Sequence, residues 1–258
     1  MNLSGNTILI TGGGSGIGRG LAEAFHGLGN QVIIAGRRRG VLDEVTQANP
    51  GMKSLTVDME NRAAIRTFAA QAVEQFPSLN VLINNAGIMR VEKLTAQQAD
   101  LADAEAIVTT NLLGPIRLTA ALLPHLRQRS STIITVSSGL AFVPLVFTPT
   151  YCATKAAIHS YSQSLRYQLK STPVEVIELA PPYVQTHLMD GADDPRAMPL
   201  KEFIAEVMEI FKTQPTPSEI LVERVKQMRN AERESRYDGT FAGLNGGMAA
   251  RFEEEWKA

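Results

Sequence analysis

The stretch that decides the fold is Thr7-Ile8-Leu9-Ile10-Thr11-Gly12-Gly13-Gly14-Ser15-Gly16-Ile17-Gly18. A short β-rich apolar run ends abruptly in glycines, and residues 21–28 then show the apolar periodicity of a helix. Glycines let the backbone approach a pyrophosphate, which rests on the free N–H groups of a helix N-terminus. The pattern predicts a dinucleotide-binding turn, with a plain glycine-rich turn as the alternative. The predicted contacts are Gly12, Ser15, Gly16, Ile17 and Gly18.

Further apolar runs with strand character follow, and they alternate with helical periodicity. These runs occupy residues 31–35, 53–58, 79–87, 132–136 and 174–179. The alternation predicts a doubly wound, mainly parallel, Rossmann-like sheet of about six strands in a three-layer α/β/α domain. We expect residues 1–258 to form this single domain, without a seventh strand near the C-terminus.

The composition changes after residue 186. Residues 186–217 follow the sixth strand, at the edge of the sheet where ligands bind, and we interpret them as a candidate substrate lid. Residues 218–258 are expected to form a charged helix, from 218 to 237, and a tail.

Composition and charge narrow the class of protein. With 44% hydrophobic and 20% charged residues, the 258-residue chain has the composition of an ordinary globular protein. Its net charge of -1 argues against nucleic acid or an anionic membrane as a partner. The single Cys152 cannot form an internal disulfide, and no apolar run reaches the ~20 residues of a membrane span. We therefore expect a cytoplasmic protein.

The end of the second run indicates which dinucleotide is bound. An acidic residue at this position binds the ribose 2′-hydroxyl of NAD, whereas an arginine suits the 2′-phosphate of NADP. No Asp or Glu occurs between residues 31 and 41, but Arg37 and Arg38 follow Gly36. We predict that these arginines bind phosphate and that NADP(H) is preferred over NAD(H). The alternative is that they only line a solvated loop.

Polar and small residues also follow the third and fourth runs. Asp58 ends the third run, where it could accept a hydrogen bond from the adenine amino group or cap the next helix. Asn85, Ala86 and Gly87 end the fourth run, and their small or amide side chains allow a close approach to the cofactor. The four histidines (His26, His125, His159 and His187) show no ligand pairing in the sequence, so we predict no metal site.

The proposed chemistry lies in a later helix. Tyr151 and Lys155 are four residues apart at the start of a long apolar-periodic run, so their side chains share one helix face. An ordinary tyrosine has a pKa near 10, and a neighbouring cation favours the phenolate and lowers that pKa toward neutrality. The pair is therefore a candidate for proton transfer, although the same spacing occurs on many solvated helices.

Together these elements resemble the short-chain dehydrogenase/reductase family. The matching motifs are Thr11-Gly12-x3-Gly16-x-Gly18, Asn84-Asn85-Ala86-Gly87, Asn111, Ser138 and Tyr151-x3-Lys155, in family order over residues 7–186. The stretches 138–145, 151–157 and 219–225 are also similar to the DltE-type oxidoreductases of that family.

The resemblance implies a hydride-transferring enzyme that acts on a carbonyl/alcohol pair. Tyr151 would be the acid/base, and Lys155 would stabilise its phenolate and hold the nicotinamide ribose. Ser138 would donate to the substrate oxygen, with Ser137 as its rival, and Asn111 would hold a water that relays protons to Lys155. Further cofactor contacts are implied at Pro181, Val184 and Thr186. Pro182 replaces the usual glycine there and makes the local backbone stiffer.

The substrate and the partners are less defined by the sequence. Apolar residues near the expected site suggest an apolar small molecule, although packing of a loop is an equal alternative: Leu140, Phe142, Val143, Leu145, Phe147 and Tyr183. We expect a homodimer formed through the Asn111 and Tyr151 helices. A 3-oxoacyl thioester reductase, with Arg90 and Lys93 at its entrance, and a non-catalytic dinucleotide sensor are the other functional hypotheses.

Overall fold

A computed structural model describes residues 1–94, 101–189, 194–214 and 216–246. All strands belong to one parallel sheet in the order β3-β2-β1-β4-β5-β6-β7. The strands are β1 Thr7–Thr11, β2 Gln31–Gly36, β3 Lys53–Thr56, β4 Leu79–Asn84, β5 Ser131–Val136, β6 Val174–Leu179 and β7 Glu219–Ile220. The predicted doubly wound parallel sheet is confirmed.

Helices connect the strands and cover both faces of the sheet. They are α1 Gly16–Gly27, α2 Arg39–Ala48, α3 Arg62–Gln75, α4 Ala102–Val108, α5 Gly114–Leu126, α6 Pro149–Leu169, α7 Leu200–Thr213 and α8 Glu223–Arg229. Residues 237–246 are also helical and are called the C-terminal helix below.

Apolar residues on both faces of the strands form the core. On one face, Ile8 and Ile10 of β1 pack with Phe25 of α1 and Phe203 of α7. On the other face, Leu9 packs in a cluster with residues of α3, α5 and α6. A parallel sheet covered on both faces buries nearly every strand side chain, which explains the unbroken Val, Ile and Leu runs in the sequence.

The crevice at the carboxyl edge of the sheet lies between β1 and β4. The chain proceeds from β1 to β2 and β3 on one side, then returns to place β4 on the other side of β1. Open α/β sheets bind ligands at such a reversal of strand order, outside the carboxyl ends of the strands. The glycine turn after β1 and the Asn85 to Gly87 segment after β4 both lie at this edge.

The expectation of no seventh strand was wrong. Glu219–Ile220 adds a parallel strand to β6, with Ile220 opposite Leu179 and completely buried. Two residues are too few to produce a recognisable periodic pattern. The expected helix over residues 218–237 is also divided, because α8 ends at Arg229 and the chain turns through Ser235 (φ 54°) before the C-terminal helix.

The helical stretch Ala102–Leu126 contains the expected irregularity. Thr109–Leu113 forms a π-helical turn between α4 and α5, and Asn111 lies within it. By length and composition alone this 25-residue stretch could cross a membrane. Core helices of soluble proteins meet the same criterion, and here Leu118, Leu122 and Leu126 pack into the core beside α3.

Part of the candidate lid is a core helix. Within residues 186–217, α7 buries Phe203, Val207 and Phe211 on the same sheet face as α1. The Phe211 ring makes an edge contact with Phe25, with 5.7 Å between the ring centroids. A lid movement would therefore involve the segment before Leu200, of which residues 190–193 lie outside the described part of the chain.

Candidate active site

The glycine turn forms a closely packed cradle at the end of β1. Gly12 adopts φ +68°, a left-handed conformation that favours glycine. A Cβ added to Gly18 would lie 2.3 Å from the Gly12 carbonyl oxygen and 2.4 Å from Asn85 Nδ2. Within the described residues, the Ser15 side chain makes no capping hydrogen bond to the start of α1. The Ser15 hydroxyl therefore does not compete for the first-turn N–H groups, which are the groups that the predicted pyrophosphate would need.

The segment after β4 is attached to this cradle. The backbone N–H groups of Asn85 and Ala86 donate to Thr11 Oγ1, both at 3.1 Å. The Asn85 side chain donates to the carbonyl oxygens of Thr11 (3.0 Å) and Gly12 (3.3 Å). These bonds join the segment after β4 to the end of β1, so the two predicted contact segments lie side by side.

The segment after β6 completes the crevice. Thr186 lies beside the glycine turn, since a Cβ on Gly16 would be 3.2 Å from Thr186 Cγ2. Val184 is buried and forms an isolated parallel bridge with Met198. The Pro181 carbonyl oxygen accepts from Gly139 N at 2.8 Å, which joins this segment to the turn that carries Ser138. Thr186 therefore lies at the predicted pyrophosphate turn, and Pro181 and Val184 belong to the same segment after β6.

Arg37 and Arg38 lie at the end of β2 and are exposed. Arg37 donates to Glu60 Oε1 at 3.0 Å, and Thr110 Oγ1 donates to the same oxygen at 3.3 Å. Sequence reasoning missed Glu60, because its only signal is that it follows the third strand closely. The Glu60 carboxylate, in the turn after β3, therefore lies beside the end of β2, although no acidic residue occurs between residues 31 and 41.

Asp58 does not cap α3. The N-cap is Asn61, whose side chain accepts from the N–H groups of Ala63 and Ala64. Asp58 Oδ1 instead accepts from Glu60 N at 3.0 Å, within the turn between β3 and α3. The alternative that Asp58 caps α3 is therefore wrong. Asp58 follows the carboxyl end of β3, at the edge of the sheet where it was predicted to lie.

The helix that carries Tyr151 and Lys155 begins at Pro149, a residue favoured in the first turn because it needs no N–H partner there. Glu92 accepts from Thr150 N (3.0 Å) and from Thr150 Oγ1 (2.6 Å), so a carboxylate from the segment after β4 stabilises the helix start. Tyr151 and Lys155 are both buried, and Lys155 Nζ lies 5.4 Å from the centroid of the tyrosine ring. The structure brings the predicted pair together.

Burial dominates the electrostatics of this pair. It raises the pKa of Tyr151 well above the ordinary value, and a hydrogen bond with the Ser138 side chain opposes that increase. Burial lowers the pKa of Lys155 to about 8, and the negative charge of Glu178 opposes that decrease. The predicted lowering of the Tyr151 pKa by its cationic neighbour is therefore not found in the protein alone, because loss of hydration on burial has the largest influence on that pKa.

The two adjacent serines point to different partners. Ser138 Oγ accepts from Leu140 N at 3.1 Å and lies close enough to influence Tyr151. Ser137 is buried, and its hydroxyl donates to Glu178 Oε1 at 2.5 Å. Ser138 thus faces the tyrosine, whereas Ser137 is engaged on the other side of the turn.

Asn111 is positioned by the π-helical turn beside Gly87 and Lys155. Its Oδ1 accepts from Ile88 N and its Nδ2 donates to the Ile88 carbonyl oxygen, both at 2.8 Å. A Cβ on Gly87 would be 3.3 Å from Asn111 Oδ1 and 3.8 Å from Lys155 Nζ. π-Helical turns are often found at functional sites, and this one brings an amide next to the buried ammonium.

An apolar cluster surrounds Tyr151. Leu145 and Phe147 are buried against Tyr151 and Cys152, and Leu244 of the C-terminal helix packs on the same cluster. Asn245 Oδ1 accepts from Val146 N at 2.8 Å, and its Nδ2 donates to the Pro144 carbonyl oxygen at 3.1 Å. Sequence reasoning missed this contribution of the C-terminal helix, because a contact across about a hundred residues leaves no local pattern.

His159 does have acidic neighbours. Possible metal-ligand atoms lie within 4.8 Å of one another in His159, Glu178 and Glu219. The prediction that the histidines have no potential ligand partners is therefore wrong for His159. The three residues come from α6, β6 and β7, which explains why no spacing motif revealed them. Arg229 donates to both oxygens of Glu219, at 2.8 and 2.9 Å.

Comparison with known proteins identifies the family. The sequence pattern described as short chain dehydrogenase matches residues 6–197, most of the described domain. The chain belongs to the short-chain dehydrogenase/reductase family. Its enzymes depend on NAD or NADP, so the protein is a nicotinamide-dependent oxidoreductase with a Rossmann-like fold. It is DltE-like: "Uncharacterized oxidoreductase DltE" of Bacillus subtilis (strain 168) is 39% identical over 251 residues, covering 95% of this chain and 98% of the relative.

Solved structures share the fold of this family member. A short chain dehydrogenase from Burkholderia cenocepacia J2315 in complex with NADP has a TM-score of 0.79 at 24% identity, covering 95% of this chain and 99% of that chain. A short chain dehydrogenase/reductase from Burkholderia phymatum in complex with NAD has a TM-score of 0.78 at 20% identity, covering 91% and 95%. The two structures contain different dinucleotides, and their likeness to this chain lies in the fold.

Proposed function

We propose that the protein is an NADP-dependent carbonyl reductase or alcohol dehydrogenase in which Tyr151 is the proton donor and acceptor. The observation that carries the proposal is the convergence of Tyr151, Lys155 and Ser138 at the carboxyl edge of the sheet. Gly87 adjoins Lys155 and, through Asn85, the glycine cradle. This arrangement supports a site in which a proton donor, a cation and a hydroxyl would act beside a bound dinucleotide.

The residues at the crevice fit the cofactor. When bound, NADP(H) supplies the hydride exchange, and the protein supplies orientation and electrostatic stabilisation. Gly12, Ser15, Gly16, Ile17 and Gly18 would hold the pyrophosphate, while Arg37 and Arg38 would hold the 2′-phosphate. Asp58 and the segments 85–87 and 181–186 would border the adenine and nicotinamide parts.

The protonation states suit reduction of a carbonyl group. Because burial raises the pKa of Tyr151, the phenol keeps its proton at neutral pH and can donate it to a carbonyl oxygen. Ser138 would donate a second hydrogen bond to that oxygen as negative charge develops. Lys155, with a pKa of about 8, can return a proton to the tyrosine side of the site near neutral pH. Asn111 would support this relay beside Lys155.

The surroundings favour an apolar substrate. Exposed apolar side chains occur in the segments that follow the strand ends at this edge, with Val91 after β4, Val146 after β5, and Tyr183 and Leu188 after β6. Leu145 and Phe147 form a buried wall against Tyr151. Their burial means that these two residues pack the loop, so the exposed residues are the better candidates for direct substrate contact.

A screen of ketones and alcohols with NADPH and NADH, followed by nicotinamide absorbance, tests the proposal. We expect turnover of apolar carbonyl compounds with NADPH and a loss of about 10³-fold or more in Tyr151→Phe, since general acid–base catalysis contributes on this scale. Tyr161→Phe on the same helix is the matched control and should retain activity. Undiminished turnover in Tyr151→Phe would refute the proton-transfer role.

The same screen separates the two alternative functions. Reduction of a 3-oxoacyl thioester in preference to simple ketones would support the thioester reductase, although Arg90 lies 3.9 Å from Asp103 and is less available at the entrance. Dinucleotide binding without turnover of any carbonyl compound would support the sensor. The buried Tyr151 and Lys155 favour an enzyme over the sensor.

The homodimer is proposed to use the helices that carry Asn111 and Tyr151. Tyr167, on α6, is 70% exposed, and Lys170 Nζ lies 4.0 Å from its ring centroid. An exposed aromatic ring on this helix is a reasonable interface anchor. Tyr167→Glu should convert the dimer into a monomer in light scattering, whereas Tyr237→Glu should not. A cytoplasmic location stays a prediction.

A further inference from the structure

The segment from Asn85 to Glu92 connects the glycine cradle with the start of α6, and it is called the crossing segment below. At its beginning, the Asn85 side chain donates to two carbonyl oxygens of the cradle. In its middle, the backbone of Ile88 exchanges two hydrogen bonds with the Asn111 side chain. Met89 is then buried in the apolar cluster of the candidate active site. The crossing segment is therefore held along its length before it reaches α6.

Glu92, at the end of the crossing segment, takes the place of a local cap on α6. Within the described chain, the side chain of the N-cap residue Thr148 makes no capping hydrogen bond. Glu92 instead accepts from Thr150 N at 3.0 Å and from Thr150 Oγ1 at 2.6 Å, and its own N–H donates to the Phe147 carbonyl oxygen at 2.9 Å. First-turn N–H groups need partners from outside the helix, and a carboxylate also suits the positive end of the helix dipole. The start of α6 is thus attached to the crossing segment rather than to its own loop alone.

Tyr151 is the residue whose placement depends most on this attachment. It directly follows Thr150 in the first turn of α6, where the helix supplies few of its own hydrogen bonds. Lys155 lies one turn further along, and its ammonium has a separate anchor, because it donates to the Val136 carbonyl oxygen at 2.8 Å. Loss of the Glu92 bonds should therefore displace Tyr151 while Lys155 stays in place.

We propose that Glu92 is a positioning residue that fixes the placement of Tyr151 relative to the glycine cradle through the crossing segment. The inference rests on the proposed function, because the placement of the phenol matters to catalysis only if Tyr151 transfers a proton beside a bound cofactor. Glu92 acts through Thr150, and the role requires no contact between its carboxylate and the substrate. A misplacement of about 1 Å in an active site can cost about 100-fold in rate, so two hydrogen bonds at the start of this helix have a measurable effect.

Three variants separate the hydrogen bonds of Glu92 from its charge and from general effects of mutation. Glu92→Ala removes both bonds to Thr150. Glu92→Gln can keep both, because its amide oxygen can accept from Thr150 N and its amide nitrogen can donate to the Thr150 hydroxyl. Glu105→Ala removes an exposed carboxylate from the first turn of α4 and is the matched control.

The first measurement is kcat for carbonyl reduction at a temperature at which circular dichroism shows every variant to be folded. We expect kcat to fall about 10- to 100-fold in Glu92→Ala, with an unchanged Kd for NADPH, because the bonds to the cradle are made by Asn85. Glu92→Gln should stay within about threefold of the wild type, since its hydrogen bonds are preserved. Glu105→Ala should match the wild type.

Thr150→Val supplies a second, independent variant. It removes the hydroxyl that Glu92 binds and leaves the backbone N–H bond in place, so kcat should fall about threefold to tenfold. Thr150→Val added to Glu92→Ala should cause no further loss, because both substitutions remove the same contact. If Glu92→Ala does not fold, the comparison of Thr150→Val with the wild type carries the test.

A spectroscopic measurement does not depend on turnover. The ¹⁹F resonance of Tyr151 in protein labelled with 3-fluorotyrosine, assigned with Tyr151→Phe and recorded without cofactor, reports the surroundings of the phenol. It should shift or broaden in Glu92→Ala and Thr150→Val, and it should stay constant in Glu92→Gln and Glu105→Ala. The resonance of Tyr237, in the C-terminal helix, should stay constant in all four.

The outcomes distinguish this inference from the proposed function. A lower kcat and a displaced Tyr151 resonance in Glu92→Ala, both restored in Glu92→Gln, would support the positioning role. Equal losses of kcat in the two variants, additive losses with Thr150→Val, or an unchanged Tyr151 resonance would overturn that role while the proposed reaction stands. A displaced resonance in a protein that turns over no carbonyl compound would support the placement of Tyr151 by Glu92 and refute the proposed function.

Discussion

Arg37 donates to Glu60 across the carboxyl ends of β2 and β3, with 3.0 Å between Nη1 and Oε1. The pair occupies the position where the adenosine ribose of a bound dinucleotide is expected. A 2′-phosphate would have to draw Arg37 away from a carboxylate, and a 2′-hydroxyl could bind that same carboxylate. We therefore expect cofactor preference to depend on the competition between these two side chains.

Substitution of either partner should change this preference. Arg37→Ala should weaken NADPH binding about 10- to 100-fold, since a hydrogen bond to a charged group contributes ~1.5–3 kcal/mol, with little change for NADH. Glu60→Gln should strengthen NADPH binding because it releases the guanidinium. Arg39→Ala is the control, since Arg39 pairs with Asp43 on α2. Calorimetry with both cofactors measures these effects, and equal losses for NADPH and NADH in Arg37→Ala would refute the assignment.

The Arg37–Glu60 pair also illustrates the limits of sequence reasoning. The strands were predictable because buried parallel strands need apolar residues on both faces, as Leu9 on β1 and Ile33 on β2 illustrate. The ends of those strands could be predicted to meet at one edge of the sheet, whereas the cofactor contacts assigned to residues at that edge stay predictions. The sequence does not specify which side chains pair at that edge. Glu60 reaches Arg37 from a different strand, and no spacing rule relates the two.

The burial of Glu178 could not be predicted from the sequence for a related reason. In the run 174–179, acidic residues alternate with apolar ones, which is typical of a strand with one solvated face. Glu175 follows that rule and is partly exposed, whereas Glu178 is completely buried beside Ser137 and His159 of α6. Glu175 and Glu178 are chemically identical side chains in one strand, and tertiary packing determines which of them is buried. The proximity of the Tyr151 and Lys155 side chains, by contrast, was predictable because both residues lie on one face of one helix.

The glycine cradle gives a prediction with a control in the same helix. Gly18→Ala should reduce dinucleotide affinity by about 100-fold and destabilise the fold by ~1–3 kcal/mol, because its Cβ would collide with backbone and Asn85. At Gly27, no described atom lies within 4 Å of an added Cβ. Gly27→Ala should preserve cofactor binding and stabilise α1 by up to ~1 kcal/mol. Calorimetry and chemical denaturation measure both quantities, and similar behaviour of the two variants would contradict the cradle.

Lys155 should reduce stability in a pH-dependent way. Its pKa is about 8 in the folded protein, below the ~10.4 of an unfolded lysine, so the folded state binds fewer protons between these values. Folding stability should therefore increase as the pH rises from 8 toward 10, and the cost of the buried ammonium should be complete below pH 8. Lys155→Met should raise the free energy of unfolding at pH 7 by ~1–3 kcal/mol while abolishing turnover.

The measurement is urea denaturation at pH 7 and pH 9.5. The gain in stability of Lys155→Met should be largest at pH 7 and should decrease at pH 9.5, where the wild-type lysine is largely neutral. Lys53→Met, at an exposed position on β3, should change neither value. A gain that is constant across this range would show that packing, rather than charge burial, accounts for the effect.

Asn245 couples the C-terminal helix to the loop beside Tyr151, and its removal should affect substrate use more than cofactor binding. Asn245→Ala deletes the hydrogen bonds to Val146 and Pro144, which should cost ~1–2 kcal/mol in stability. The apolar wall formed by Leu145 and Phe147 would then lose its support. We expect KM for the carbonyl substrate to rise about tenfold with an unchanged Kd for NADPH, because the hydrogen bonds of Asn245 go to the loop beside Tyr151 and to Phe241, and not to the glycine cradle. Gly246→Ala is the adjacent control and should leave both constants as in the wild type. A KM unaffected by Asn245→Ala would mean that the C-terminal helix stabilises the loop without shaping the substrate site.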